Sequence, residues 1–144
     1  MLDPISPPVA RRPEETVELM AVALSDGDLE AVLAQYERGA ILLPWLVGVG
    51  RSGSSLRDTI ADLVALRLPL SVTVQAVLAS GDLAMVLGER EIAGTGPASE
   101  RVRLSGLGSS MVRRQPDGTW RIVAEAWCLG ERGPRPGPAR QPGH

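Results

Sequence analysis

Along the second half of the chain, apolar and polar residues tend to alternate one by one. Residues 83–93, 100–114 and 119–129 carry that pattern, and turn signals separate them: Gly94-Thr95-Gly96-Pro97, then Gln115-Pro116-Asp117-Gly118. Proline and glycine supply the backbone angles that tight turns need, so the pattern predicts a meander of three strands. Residues 70–79 add a fourth strand, with Leu70, Val72, Val74, Ala76 and Leu78 on one face and Ser71, Thr73, Gln75, Val77 and Ala79 on the wetter one. Ahead of these the period changes. Val17, Met20, Ala21 and Leu24 recur at helical spacing after Pro13, Glu14 and Glu15, a start suited to a helix dipole. Asp28 is a natural cap for a second helix through Leu29, Val32, Leu33 and Tyr36. After a short apolar strand at 40–43, Leu56, Ile60, Leu63 and Val64 predict a third helix over 55–66. Three helices ahead of an antiparallel sheet make an α+β fold, in which a sheet curling around a helix leaves a cavity.

Composition narrows the function classes. The 144 residues suit one domain, and 44% hydrophobic content is too high for a disordered chain. The ends differ from the middle. Residues 1–12, rich in Pro and Arg, are expected to form a loose arm. Residues 13–129 form the domain, and the Gly-Pro-Arg stretch 130–144 is expected to be a disordered tail. No apolar run is long enough to cross a bilayer and no signal peptide opens the chain, so a cytoplasmic location is expected. Net charge is −2 without a basic stripe, which argues against nucleic acid. Cys128 stands alone and the single histidine is His144, so neither zinc nor a histidine triad is expected. All fifteen basic residues are arginine, which excludes lysine Schiff-base chemistry and a Walker-type phosphate loop. No residue set calls for a cofactor.

The run Ser25-Asp26-Gly27-Asp28-Leu29-Glu30-Ala31-Val32-Leu33-Ala34-Gln35-Tyr36, followed by Ala40-Ile41-Leu42, resembles the helix pair of the nuclear-transport-factor-two-like superfamily, which includes ketosteroid isomerase-like and SnoaL-like proteins. Ser80-Gly81-Asp82 with Arg113-Arg114-Gln115-Pro116-Asp117-Gly118-Thr119-Trp120 is similar to its SgcJ/EcaC-type branch. Residues 13–129 carry the resemblance. It implies a cone-like, cystatin-like fold, frequent homodimers and an internal pocket for a small apolar molecule. Superfamily members include isomerases, cyclases, epoxide hydrolases and non-catalytic subunits, so the fold does not choose the function. The position of the isomerases' catalytic Asp holds Pro44, and that of their Tyr oxyanion donor falls near Met20, so that activity is not carried over. Arg90 and Glu125 match an arginine and an acid of limonene-type epoxide hydrolases, whose second Asp matches Ile92.

Candidate chemistry gathers on two strands. Glu125 and Trp127 are two residues apart, so they share a strand face with Val123. Glu125 is either a solvent-facing carboxylate or, as the resemblance implies, the acid or base of a pocket. Glu89 and Glu91 share a face with Met85 and Leu87. They are either an exposed pair with arginine partners or, if the resemblance carries over, Glu125's partners inside the cone. Trp45, Tyr36 and Met20 are pocket wall or core, and Ser110 lies in a glycine-rich strand where small residues either let the sheet bend or leave room for a ligand. Two functions follow: proton transfer on an apolar or polycyclic substrate, or non-catalytic binding of a ligand or partner.

Overall fold

The computed structural model describes residues 6–46, 55–96 and 98–131; the side chains of residues 44–46 and 131 are outside this description. Of the expected disordered tail, residues 132–144 lie outside the described residues, as does most of the glycine-rich loop before the third helix; Gly130 and Glu131 are not tail but the end of the last strand, paired with Ser105 and Leu104.

Helix α1 (Glu15–Ser25) turns Thr16, Val17, Met20, Ala21, Ala23 and Leu24 into the protein. Gly27, with φ of +73°, closes its C-terminus by donating to Leu24 O at 3.1 Å. Asp28 then caps α2 (Leu29–Leu33) by accepting from the Ala31 amide. The sequence predicts a helix that reaches Tyr36. Instead the chain leaves the helix after Ala34, and Tyr36 opens strand β1 (Tyr36–Leu46) opposite Ile122. Two long-range bonds compete with another helical turn: the Ile122 amide donates to Gln35 O, and the Gln35 amide nitrogen donates to Pro8 O, both at 2.7 Å.

Ser55 caps α3 (Leu56–Ala65) by accepting from the Asp58 amide. Strands β2 (Leu70–Ser80), β3 (Leu83–Thr95), β4 (Arg101–Arg114) and β5 (Trp120–Glu131) then follow as an antiparallel meander. The sheet order is β1-β5-β4-β3-β2. The expected sheet was antiparallel throughout, but β1 returns to lie parallel to β5, so the sheet is mixed. A chain that leaves β1 through α3 can reach the far edge of the sheet, which leaves β1 free to seal the β5 edge.

Glycine lets the sheet bend. A Cβ at Gly88 would lie 2.9 Å from Thr73 O, and one at Gly106 2.0 Å from Cys128 O, so neighbouring strands approach closer there than a side chain allows. The helices cover the concave face. Val17, Met20 and Leu24 of α1, Val32 of α2 and Ile60 and Leu63 of α3 share one core with Val86, Ile92, Leu104, Val112, Ile122, Trp127 and Leu129 of the sheet.

The segment ahead of α1 is not a loose arm over its described residues. Ala10 is buried and bridges Trp120, whose amide donates to Ala10 O at 2.9 Å.

Candidate functional site

Side chains from four strands meet on one carboxylate at the concave face. Glu125 Oε1 accepts from Tyr36 Oη of β1 at 2.5 Å and from Trp127 Nε1 of β5 at 2.7 Å. Its Oε2 accepts from Ser110 Oγ of β4 at 2.5 Å and from Arg90 Nη2 of β3 at 3.1 Å. Arg90 Nη2 also donates to Ser110 Oγ at 2.8 Å. All five residues are buried, Glu125 at 4% exposure and Arg90 at 1%. Burying an ion pair is costly unless its remaining hydrogen-bonding positions are filled; for the carboxylate they are.

Local structure explains the convergence. A bulge at Val123 shifts the β4–β5 register, so Met111 faces Ala124 while Val112 faces Ile122. Trp120 and Ile122, expected on the other face of the strand, therefore join Glu125 and Trp127 in the core. Arg90 reaches β5 by lying across Gly108; a Cβ there would sit 2.3 Å from Arg90 Nε. The guanidinium then rests over the Trp127 ring, 5.0 Å from its centroid, a cation–π contact. Burial, reinforced by the Glu125 charge and hydrogen bond, raises the Tyr36 hydroxyl well above the ordinary tyrosine pKa; Arg90 pulls modestly the other way.

Of the predicted residues, Glu125, Trp127, Tyr36 and Ser110 come together, and Met20 is buried in the adjoining core. Glu89, Glu91, Met85 and Leu87 do not join them. On β3 the buried positions are Ala84, Val86, Gly88, Arg90 and Ile92, so the expectation that the Glu89 face turns inward is corrected. Glu91 meets Arg103 at 3.3 Å near the surface. Trp45 pairs with Cys128 in the β1–β5 ladder, and its side chain lies outside the described residues. Arg90, matched with Glu125 through the resemblance to epoxide hydrolases, was not carried into the candidate site, although a second signal was present: an arginine in register with Val86 and Ile92 on one strand face. A separate groove of about 420 Å³ lies between α1 and β2, with Val22, Leu70 and Val72 in its wall; it holds none of the candidates. Among the described residues no group of His, Cys, Asp and Glu could hold a metal ion, and no helix is long and apolar enough to cross a membrane.

This architecture is the NTF2-like fold, a cystatin-like α+β arrangement of helices on a curved sheet. It matches the ketosteroid isomerase-like protein of Erwinia carotovora atroseptica SCRI1043 at a TM-score of 0.66 and 19% identity, over 84% of this chain and 94% of that one. An NTF2-like protein with a cystatin-like fold from Novosphingobium aromaticivorans DSM matches at 0.60 and 18%, over 81% and 77%. An NTF2-like protein of unknown function from Shewanella oneidensis MR-1 matches at 0.54 and 18%, over 82% and 95%. No protein-family model and no curated protein sequence matches the chain.

Proposed function

We propose that this chain is a small-molecule pocket protein whose ligand, an apolar or polycyclic molecule, lies against the concave face and is oriented by the Arg90–Glu125 cluster. One observation carries the reading: four polar or amphipathic side chains from four strands converge on the Glu125 carboxylate inside an apolar core. Concentrating buried polar groups at one point costs stability, and such places are candidates for function.

Proton transfer of the isomerase, cyclase or epoxide hydrolase type would run through Glu125. Its four acceptor positions are taken, so a substrate could deliver a proton to it only by displacing a donor. Ser110 is the most readily moved, because a hydroxyl can rotate away without repacking the core. The geometry therefore favours binding over catalysis.

Pyrene and naphthalene, neutral apolar probes, test the pocket. Each is expected to bind one per chain and to shift the Trp127 indole N–H resonance; failure of both at their solubility limit overturns the reading. Solvent-deuterium incorporation beside the carbonyl of cyclohexanone tests the catalytic arm. Exchange at the buffer rate leaves the binding reading standing and removes the enzymatic one.

A second reading, a dimeric partner-binding module, has its own observation. Ile41, Leu43, Leu78, Met85, Leu107 and Met111 are exposed on the outer face of the sheet, where no helix packs.

A further inference from the structure

Arg90 carries five N–H donors, and its neighbours use only part of them. Nη2 serves Ser110 and Glu125. Nε and Nη1 are buried with no hydrogen-bond partner among the described residues. A buried cation with unpaired N–H groups is costly, so an acceptor at those atoms would be strongly favoured.

Among the described residues the neighbouring side chains offer none. Both oxygens of Glu125 are filled by four donors. Ser110 already accepts from Arg90 and donates to Glu125. Trp127 presents its ring, Gly106 and Gly108 have no side chain, and Val72, opposite Arg90 on β2, is apolar.

Resting on the pocket reading above, we propose that the unpaired Nε–H of Arg90 is the recognition point of the concave face. It selects a molecule with an apolar body and an acceptor-only oxygen. The cluster has only donors left to give. A ligand hydroxyl would leave its own hydrogen unmatched, and an amine would meet a cation. Charge sets the order among acceptors. Arg90 and Glu125 already cancel, so a carbonyl oxygen adds no charge, whereas a carboxylate brings an uncompensated one into the core. A neutral carbonyl compound is the preferred class, with a carboxylate second.

The test follows the arginine Nε–Hε resonances of isotope-labelled protein at neutral pH. The Arg90 signal is identified by its loss in Arg90→Lys, or, should that variant not fold, by its nuclear Overhauser contact with the Trp127 ring. Cyclohexanone, cyclohexanecarboxylate and methylcyclohexane share one ring and differ in the oxygen. Cyclohexanone is expected to move the Arg90 signal downfield and saturably, and to bind about tenfold or more tighter than methylcyclohexane, the size expected of a hydrogen bond to a charged donor. Movement with the carboxylate alone would overturn the charge order and leave an acceptor subsite. An unmoved signal with both oxygen probes, or equal movement with methylcyclohexane, overturns the inference. If pyrene or naphthalene still binds in that case, the pocket reading survives; if neither binds, both fall.

Discussion

Tyr36 is the only tyrosine in the chain, so its ionisation can be followed alone by ultraviolet absorbance. Its folded pKa lies well above the ordinary value, chiefly through burial and then through Glu125. The sign follows directly. A raised pKa contributes stability that is fully present below the unfolded value, about 10, and is lost as pH rises toward the folded one. Tyrosinate absorbance in the native protein should therefore stay absent well past pH 10, about the unfolded value, and appear together with unfolding. A free titration near the ordinary value would show that Tyr36 is not held against Glu125. Glu125→Gln makes a second case. Glutamine keeps the shape of glutamate, but the exchange is not silent for the fold: an amide NH₂ would face donors, and Arg90 would lose its counter-charge. Removing one partner of a buried pair costs about 3–5 kcal/mol. Chemical denaturation should show Glu125→Gln and Arg90→Met each well below the wild type, and the double variant less affected than the sum. Additive losses would mean that the pair is not coupled.

At the scale of elements, the docked segment ahead of α1 gives a sharper expectation than its composition suggests. Removing residues 1–10 takes away the carbonyl that satisfies the buried Gln35 amide and the bridge to Trp120. One unsatisfied buried amide costs about 1–3 kcal/mol. The shortened chain should unfold at lower denaturant, and Gln35→Leu within it should recover part of the loss. No loss, or no recovery, would place the cost elsewhere. The same element shows where sequence reading stops. Alternation and helical spacing placed the meander and α1 and α3 well, because each pattern is local. The end of α2 was not legible, since Gln35 and Tyr36 are drawn out of the helix by Pro8, Ile122 and Glu125, far away in sequence. Parity placed Glu125 and Trp127 on one face and left its direction open, the resemblance alone implying inward, and parity could not show the bulge at Val123 that brings Trp120 and Ile122 to the same side. On β3 it chose the wrong face, because Leu83, Met85 and Leu87 look like a core stripe while Arg90 does not.

That error points to a property of the whole molecule. Both faces of the sheet carry large apolar side chains, and among the described residues the helices cover only one face. On the other, Leu107 is 59% exposed, Leu78 62% and Met111 42%, and Met85 faces Met111 across the β3–β4 ladder. Five strands spaced about 4.8 Å apart make this face broad enough for a partner to lie flat against it, and contiguous exposed apolar surface of that kind marks an interface. Ion pairs lie toward its edges: Arg103 with Glu91, Arg113 with Glu37 and Arg114 with Asp82. Glu89 also faces outward, opposite Leu107, so the apolar row of Leu78, Met85 and Met111 is bordered by charged residues on both sides, and an apolar patch with a polar surround is the anatomy of an association surface. A second copy of the chain offers a matching surface under two-fold symmetry. Sedimentation at micromolar concentration is expected to show a dimer that persists in high salt, because apolar burial is not screened. Leu107→Arg with Met111→Arg should give a monomer with an unchanged circular dichroism spectrum, since both side chains already face solvent in the single chain. Cys128, which is also exposed and alternates away from Trp127, supplies an independent readout: its thiol should be labelled faster in that variant than in the wild type. A wild type that sediments only as a monomer, with Cys128 labelled equally fast in both, would leave the outer face without a self-partner and remove the dimeric reading.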